Sequence, residues 1–393
     1  MQTKKLLVPS LLAIAIASPA MADDLRINGF LSVGASMMDS DKAHIAGADN
    51  QGGFKQDTII GLQVSKQVND STSVTGQLVS RGSDDYSTEA AWAFVTYAAN
   101  DDLDLRMGRL RLPAFYYSDF LEVGYTYNPI RPAEEVYRLP FSSMDGVDLT
   151  QRFSSGNIDG AVQVYYGRYQ GDFENSGSTY KADFRNLTGI SVTSSIGNFG
   201  GRLSYNQAEL NLQDGTLDGT ALEQGILLAG VLANTPSGSS ITTPEGTYTG
   251  VGDASAAKDF NIKGHTSQFI AAALTYDNGD YSALAEWTAF NHETNLLMDD
   301  EAWLVSVAKR MGEFTPHLTY SATKNFYESG NEGKIQKQLP LATEEESITL
   351  GLRYDYDSST ALKFEIQHND EKTFDGADGD SAMLYSVAVD LVF

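Results

Sequence analysis

The sequence predicts an all-β protein, sixteen antiparallel strands closed into a transmembrane β-barrel. The first observation is the end of the chain, Met383-Leu-Tyr-Ser-Val-Ala-Val-Asp-Leu-Val-Phe393. There Met383, Tyr385, Val387, Val389, Leu391 and Phe393 share one face of a period-two strand. A fully apolar face needs lipid or a core opposite it, and the termini of soluble chains are usually polar and frayed. The second observation is that the rest of the chain divides into segments of about ten residues alternating apolar and polar, the repeating pattern of membrane barrels. The third is that the connections alternate between short turns and longer polar loops, which gathers the short turns at one end.

The start of the chain agrees. Met1 to Ala22 has a basic beginning (Lys4, Lys5), an apolar stretch from Leu6 to Ala17, and Ala20-Met21-Ala22 before Asp23. This reads as a secretory signal peptide at 1–22 with a small-x-small cleavage site, followed by a barrel domain at 23–393. Neither that stretch nor Ile226 to Ala233 is long enough for a spanning helix. The chain has no cysteine, so stability must come from backbone pairing and burial. A mean hydropathy of −0.26 fits a barrel, because only the outward residues need be apolar. The formal net charge of −25 argues against a nucleic-acid partner. Much of it sits in expected loops, at Asp84-Asp85, Asp299-Asp300-Glu301 and Glu344-Glu345-Glu346.

In order, the predicted strands begin with 24–38, where Leu25, Ile27, Leu31 and Val33 point out and Arg26, Asn28 and Ser32 point in. Next comes 55–68, with Ile60, Leu62 and Val64 out and Gln63 and Ser65 in. The turn Asn69-Asp70-Ser71 leads to 72–82, and 88–98 follows. Asn100-Asp101 turns the chain into 102–112. The pairs 144–155/157–168 and 181–194/199–210 are joined at Ser155-Gly156 and Ser195-Ile196-Gly197-Asn198. The pairs 265–277/280–291 and 301–310/314–325 turn at Asn278-Gly279 and Met311-Gly312-Glu313. The last hairpin, 346–357/360–370, turns at Asp357-Ser358-Ser359 before 382–393. Gly, Asn, Asp and Ser supply the backbone conformations that tight hairpins require. In 346–357, Leu350, Leu352 and Tyr354 face out and Arg353 in; in 360–370, Leu362, Phe364 and Ile366 face out and Lys363, Glu365 and Gln367 in.

A charge facing lipid at the bilayer midplane costs about 2–4 kcal/mol, whereas one facing a wet lumen costs little. The polar inward rows therefore predict a water-filled interior, and sixteen strands are enough to enclose a channel. Trp92, Tyr97, Tyr205, Tyr276, Tyr281, Trp303 and Tyr354 fall near strand ends, as an aromatic girdle would. The longer connections are 39–54, 113–143, 169–180, 211–264, 326–345 and 371–381.

The terminal phenylalanine strand resembles the signal by which Gram-negative cells recognise outer-membrane barrels. Met107-Gly108-Arg109 closes the fifth strand and is followed by a third loop of more than thirty residues. On these features, and on strand count and loop order, the chain resembles the Gram-negative general porins. The resemblance implies an outer-membrane location, with short turns on the periplasmic side and long loops outside. It also implies a third loop folded into the barrel, its acidic residues facing arginines on the wall. The loop, Pro113 to Phe141, holds four of the ten prolines and many aromatics, so it is built to pack. Its candidate constriction acids are Asp119, Glu122, Glu134 and Glu135; Arg131 and Arg138 are expected to pair with acids inside the loop. The candidate wall bases are Arg81, Arg106, Arg109 and Arg26. Strict parity aims Arg109 at lipid; a bulge at Gly108 would return it to the lumen. The loop lacks the Pro-Glu-Phe-Gly-Gly stretch of the best-known enterobacterial porins.

The resulting expectation is a passive channel for small hydrophilic solutes and ions, mildly cation-selective, with no cofactor, metal or catalytic residue. Opposed acids and bases across a narrow zone would set up a transverse field. The partners that the resemblance implies are outer-membrane lipid and lipopolysaccharide, the barrel-assembly machinery that would read Tyr385, Val387, Val389, Leu391 and Phe393, and a homotrimer of the chain itself. Small outward residues Gly29, Ala35 and Gly61 would let neighbours approach. A channel specific for a sugar or an organic acid is the alternative, and an outer-membrane barrel enzyme a more distant one. Of the histidines, His44 and His292 are expected in loops and His317 in the lumen; none sits in a Gly-x-Ser-x-Gly or His-Glu-x-x-His motif. For the long fifth loop three readings stand open: a cap on the mouth, a contact with a neighbouring subunit, or a variable exposed surface.

Overall fold

The computed structural model describes residues 25–40, 45–175, 178–212, 217, 220–243, 246–339, 344–372 and 378–393. The predicted signal peptide and His44 lie outside the described residues. The first nine strands are β1 (Leu25–Met38), β2 (Ile59–Asn69), β3 (Thr72–Arg81), β4 (Thr88–Ala98), β5 (Leu103–Arg111), β6 (Ser143–Ser155), β7 (Ile158–Asn175), β8 (Ser178–Ile196) and β9 (Phe199–Leu210). A small separate hairpin, β10 (Ser240–Thr243) and β11 (Gly246–Thr249), interrupts the series. Then follow β12 (His265–Asp277), β13 (Tyr281–His292), β14 (Asp299–Lys309), β15 (Phe314–Phe326), β16 (Glu344–Asp355), β17 (Thr360–Lys372) and β18 (Asp378–Val392). All but β10 and β11 form one closed antiparallel barrel of sixteen strands, each paired with its neighbours in sequence and β1 with β18.

Closure removes every sheet edge, which a strand in lipid requires because unpaired backbone groups there cost several kcal/mol each. At the seam the register runs from Phe30↔Val392 to Met38↔Leu384. Gly29 and Phe393 then exchange both backbone hydrogen bonds, at 2.7 and 3.0 Å. Gly29 is needed here: a Cβ on it would lie 2.3 Å from the Phe393 ring. The expected role of Gly29 and Gly61 as a surface for neighbours is thereby corrected. The terminal ring covers the one, and the other lies beneath the inward-facing Phe30 ring, 2.1 Å from where its Cβ would be.

The alternation holds around the ring. Ile60, Leu62, Val64, Leu350, Phe364, Ile366, Tyr385, Val387, Val389 and Phe393 are exposed on the outside, while Gln63, Arg353, Lys363, Glu365, Ser386 and Asp390 are buried within. Among the described residues no helix is long and apolar enough to cross a membrane, so the strands alone present the apolar belt. Trp92 departs from the expected girdle. It pairs with inward Gln77 at a register shift between β3 and β4, and the Arg111 guanidinium lies 5.4 Å from its ring centre.

Three connections differ from expectation. The proposed loop 169–180 is instead the far end of a β7–β8 hairpin that continues to Asn175↔Ser178. His292 ends β13 rather than lying in a loop, and its ring meets Ser267 Oγ at 2.5 Å. The fifth loop carries helix α1 (Ala221–Asn234), started by Thr220, whose hydroxyl accepts from the Glu223 amide at 3.3 Å. This is the Thr-x-x-Glu arrangement that satisfies open amides at a helix start. The apolar run within 226–233 packs through Ala229, Leu232 and Ala233 against Val251, Phe260, Leu296 and, in and beside helix α2 (Gly330–Gln336), Ile335 and Leu339. The fifth loop therefore joins its neighbouring loops in an apolar cluster at the long-loop end.

One glycine inside the wall has a testable requirement. Gly351 pairs with His317 across β15 and β16, and a Cβ on it would fall 2.0 Å from His317 Nε2. The imidazole is buried, with little room to retreat. Gly351→Ala is expected to destabilise the barrel by about 1–3 kcal/mol, the usual result of overpacking. The measurement is the temperature at which the compact form converts to the slower-migrating one in a gel. An unchanged midpoint would show that the imidazole moves freely.

Candidate functional site: the loop within the barrel

Residues 112–142 enter the lumen because they carry apolar surface that water would not accommodate. Leu112, Ala114, Phe115 and Val136 are buried in one cluster with inward residues of two stretches of wall that flank β9. On one side these are Leu110, Met144, Tyr165 and Leu187; on the other, Phe269, Ala271, Leu284, Ala302 and Leu304. Each large side chain so buried contributes roughly 1.5–3 kcal/mol. The polar inward rows expected from the first two and the last strands do not extend around the whole lumen. Inward rows of β5 to β8 and β12 to β14 supply apolar side chains at the level where the loop crosses. The aromatic rings of the loop pack on one another: Tyr117 stacks on Tyr127 and Tyr137, with centres 5.2 and 5.4 Å apart.

Polar anchors fix the register of the loop around its length. Arg202 on β9 donates to the Phe115 carbonyl at 2.6 Å and pairs with Asp119. Glu286 on β13 accepts from the Tyr116 amide at 2.8 Å and from the Tyr137 hydroxyl. Arg81 forms a two-pronged pair with Glu122 at 2.7 and 3.3 Å, and Arg111 approaches the same carboxylate at 3.5 Å. Burial opposes the charge of Glu122, but Arg81 and Arg111 outweigh it and hold its carboxyl below the usual range. Arg353 donates to the carbonyls of Tyr125 and Tyr127 at 2.7 and 3.0 Å. Lys363 donates to those of Gly124 and Pro129 at 2.6 and 2.7 Å, and Glu365 accepts from the Ile130 amide at 2.7 Å.

The sequence-derived candidates fall at different places. Asp119 and Glu122 meet arginines as just described. Glu134 accepts from the Ala46 amide at 2.9 Å. Glu135 accepts from Ser321 at 2.9 Å and from Ser347. Of the candidate bases, Arg81 touches a loop acid, whereas Arg106 donates to Asp148 of the adjoining strand at 2.6 Å. Arg26 is exposed at the start of β1, at the short-turn end. Arg109 lies 4.0 Å from Glu89, which is itself paired with Arg81 on the lumen side. No bulge in β5 is involved: its pairing with β6 runs unbroken from Leu103↔Gln151 to Arg111↔Ser143. Gly108 instead has φ +135°, a backbone state open mainly to glycine.

Two expectations need correction. Arg131 and Arg138 do not pair within the loop. Arg131 grips Asp57 at 2.7 and 2.9 Å, and Arg138 pairs with Asp300 of β14. Arg202 and Arg111 were absent from the expected set. Arg202 lies inward by parity with Ser204 and Asn206, and that parity was the available signal. Arg111 has none, because it turns inward only where β5 pairing to β4 has ended, at Arg109↔Ala93.

A closed sixteen-strand antiparallel barrel with an apolar outer belt and a lumen narrowed by an anchored loop defines an outer-membrane channel. This chain belongs to the Gram-negative porin family, whose sequence model, described as Gram-negative porin, matches residues 10–390. Its location is accordingly the outer membrane. Among solved structures it is similar to the outer membrane channel DcaP of Acinetobacter baumannii, at 11% identity and a TM-score of 0.58 over 94% of this chain and 97% of that one. It is similar also to OmpF of Salmonella typhi in complex with daunomycin, at 13% identity and TM-score 0.57 over 94% and 97%. A third is an anion-selective porin from Comamonas acidovorans, at 11% identity and TM-score 0.55 over 94% and 99%. These likenesses concern the fold. No match is found among curated protein sequences.

Proposed function

We propose that the protein is a non-enzymatic diffusion channel for small hydrophilic solutes and ions with a mild preference for cations. The observation that carries this reading is the narrow gap between the loop and the wall of β13 to β17. It is a cavity of about 30 Å³, lined by Glu134, Glu135 and Glu365 against one arginine, Arg131. Three carboxylates facing one base favour cation entry, since fields concentrate where water is confined between low-dielectric walls. The similar fold from Comamonas acidovorans is described as anion-selective, so the fold leaves the sign to local charge. A homotrimer is part of the same proposal, supported by the similar OmpT of Vibrio cholerae, described in a trimer form. Reading of the Tyr385 to Phe393 face by assembly machinery is a further part, supported by its outward exposure.

The test is a planar bilayer with a salt gradient across it. The expected result is conductance steps arriving in threes, with a reversal potential of the sign cations give. Chloride carrying most of the current would refute the selectivity. Burial pushes the Glu134 carboxyl up despite the opposing pull of Arg131. An acid so raised discharges at a higher pH than a free one. Cation preference is therefore expected to begin falling, on acidification, above the ordinary glutamate range of about 4.3. Glu134→Gln should remove that part of the pH response; a variant that titrates as the parent does would exclude Glu134 as its source.

A further inference from the structure

We infer that the periplasmic vestibule beneath the loop is a binding site for neutral polyhydroxylated solutes, of which oligosaccharides are the representative class. This rests on the channel reading and adds a substrate class to it. Below the loop, toward the short turns, lies a cavity of about 640 Å³, within the usual size of small-molecule sites. Its roof is the underside of the loop, where Tyr116, Tyr117, Phe120, Tyr125 and Tyr127 all line it. The rings are held in place rather than loose. Phe120 meets Tyr116 and Tyr117 edge-on at 6.1 and 5.4 Å, and the Arg353 guanidinium sits 4.8 Å from the Tyr125 ring centre. The remainder of the lining includes Asn128, Thr126, Ser282 and Thr315, groups that both donate and accept hydrogen bonds.

Charge decides the class. Four charged side chains line the cavity, Asp277, Arg310, Arg353 and Asp355, and each has an opposite partner. Arg310 takes Asp277 with two bonds of 2.7 Å. Arg353 takes Asp355 at 2.7 Å besides the two loop carbonyls. An anion or cation would have to break one of these pairs to be neutralised. A sugar need not, because its C–H faces pack on aromatic rings while its hydroxyls bond to the amide and hydroxyl rim and to the outer edges of the ion pairs.

The experiment uses the full-length protein in detergent, titrated calorimetrically with maltotriose and separately with succinate, alongside the bilayer measurement. Saturable maltotriose binding is expected, weakened about tenfold in Phe120→Leu and Tyr125→Leu, which keep apolar bulk but lose the ring face. Both variants are first checked for the compact, heat-convertible gel form. Heat that rises linearly with maltotriose, or saturable binding unchanged in both variants, would overturn the site. Saturation by succinate without maltotriose would overturn the neutral class. Saturable, ring-dependent maltotriose binding by a protein that gives no conductance steps would uphold the site while removing the channel reading.

Discussion

Arg202→Ala is expected to free the first third of the lumenal loop and raise the unitary conductance. Arg202 is 5% exposed and holds both Asp119 and the Phe115 carbonyl. Its loss leaves a carboxylate and a carbonyl without their partner inside the barrel. Removing one member of a buried ion pair costs about 3–5 kcal/mol; Asp119 is 28% exposed, so water will recover part of that. The remaining cost falls on loop docking rather than on the barrel, whose strands keep their ladders. Larger conductance, noisier open states and passage of larger sugars in a liposome-swelling assay should appear together, with the heat conversion of the barrel little changed. Wild-type conductance and exclusion limit in this variant would show that the other anchors, the Glu286 bond to the Tyr116 amide and the Phe115–Phe269 packing with ring centres 5.0 Å apart among them, hold this part of the loop without Arg202.

The second large effect is expected at Lys363. Its ammonium is fully buried and lies 2.8 Å from Asp390, itself 1% exposed. Lys363→Met leaves Asp390 as an unpaired charge in the lumen wall, at a cost of about 3–5 kcal/mol. It also removes the two bonds to the loop carbonyls of Gly124 and Pro129. The double variant Lys363→Met, Asp390→Leu separates these contributions, because apolar replacement of a buried pair is often nearly neutral. Heat stability should fall in the single variant and largely return in the double one. The altered conductance should persist in both, since neither restores the grip on the loop. If the double variant is as unstable as the single one, the loop carbonyls, not Asp390, are the main partners of Lys363.

The same contrast separates what local and distant sequence determine. The sixteen strands were legible because a strand exposed to lipid declares itself by a period of two, and because Asn69-Asp70-Ser71, Asn278-Gly279 and similar turns set register over a few residues. Facing was legible for the same reason: Lys363, Glu365 and Arg353 lie inward as their parity requires. The loop was recognisable as a packing element from its prolines and aromatics. Its partners were not, since Asp119 meets Arg202 and Arg131 meets Asp57 across 83 and 74 residues of chain. No periodicity links such positions. They are brought together only when the barrel closes and the apolar rings of the loop choose a height and a wall. Arg111 turned inward, Gly29 was covered by the terminal ring, and α1 was folded onto its neighbouring loops. Each was decided by that closure, because steric contact and charge pairing in a lumen depend on the whole circumference rather than on one strand.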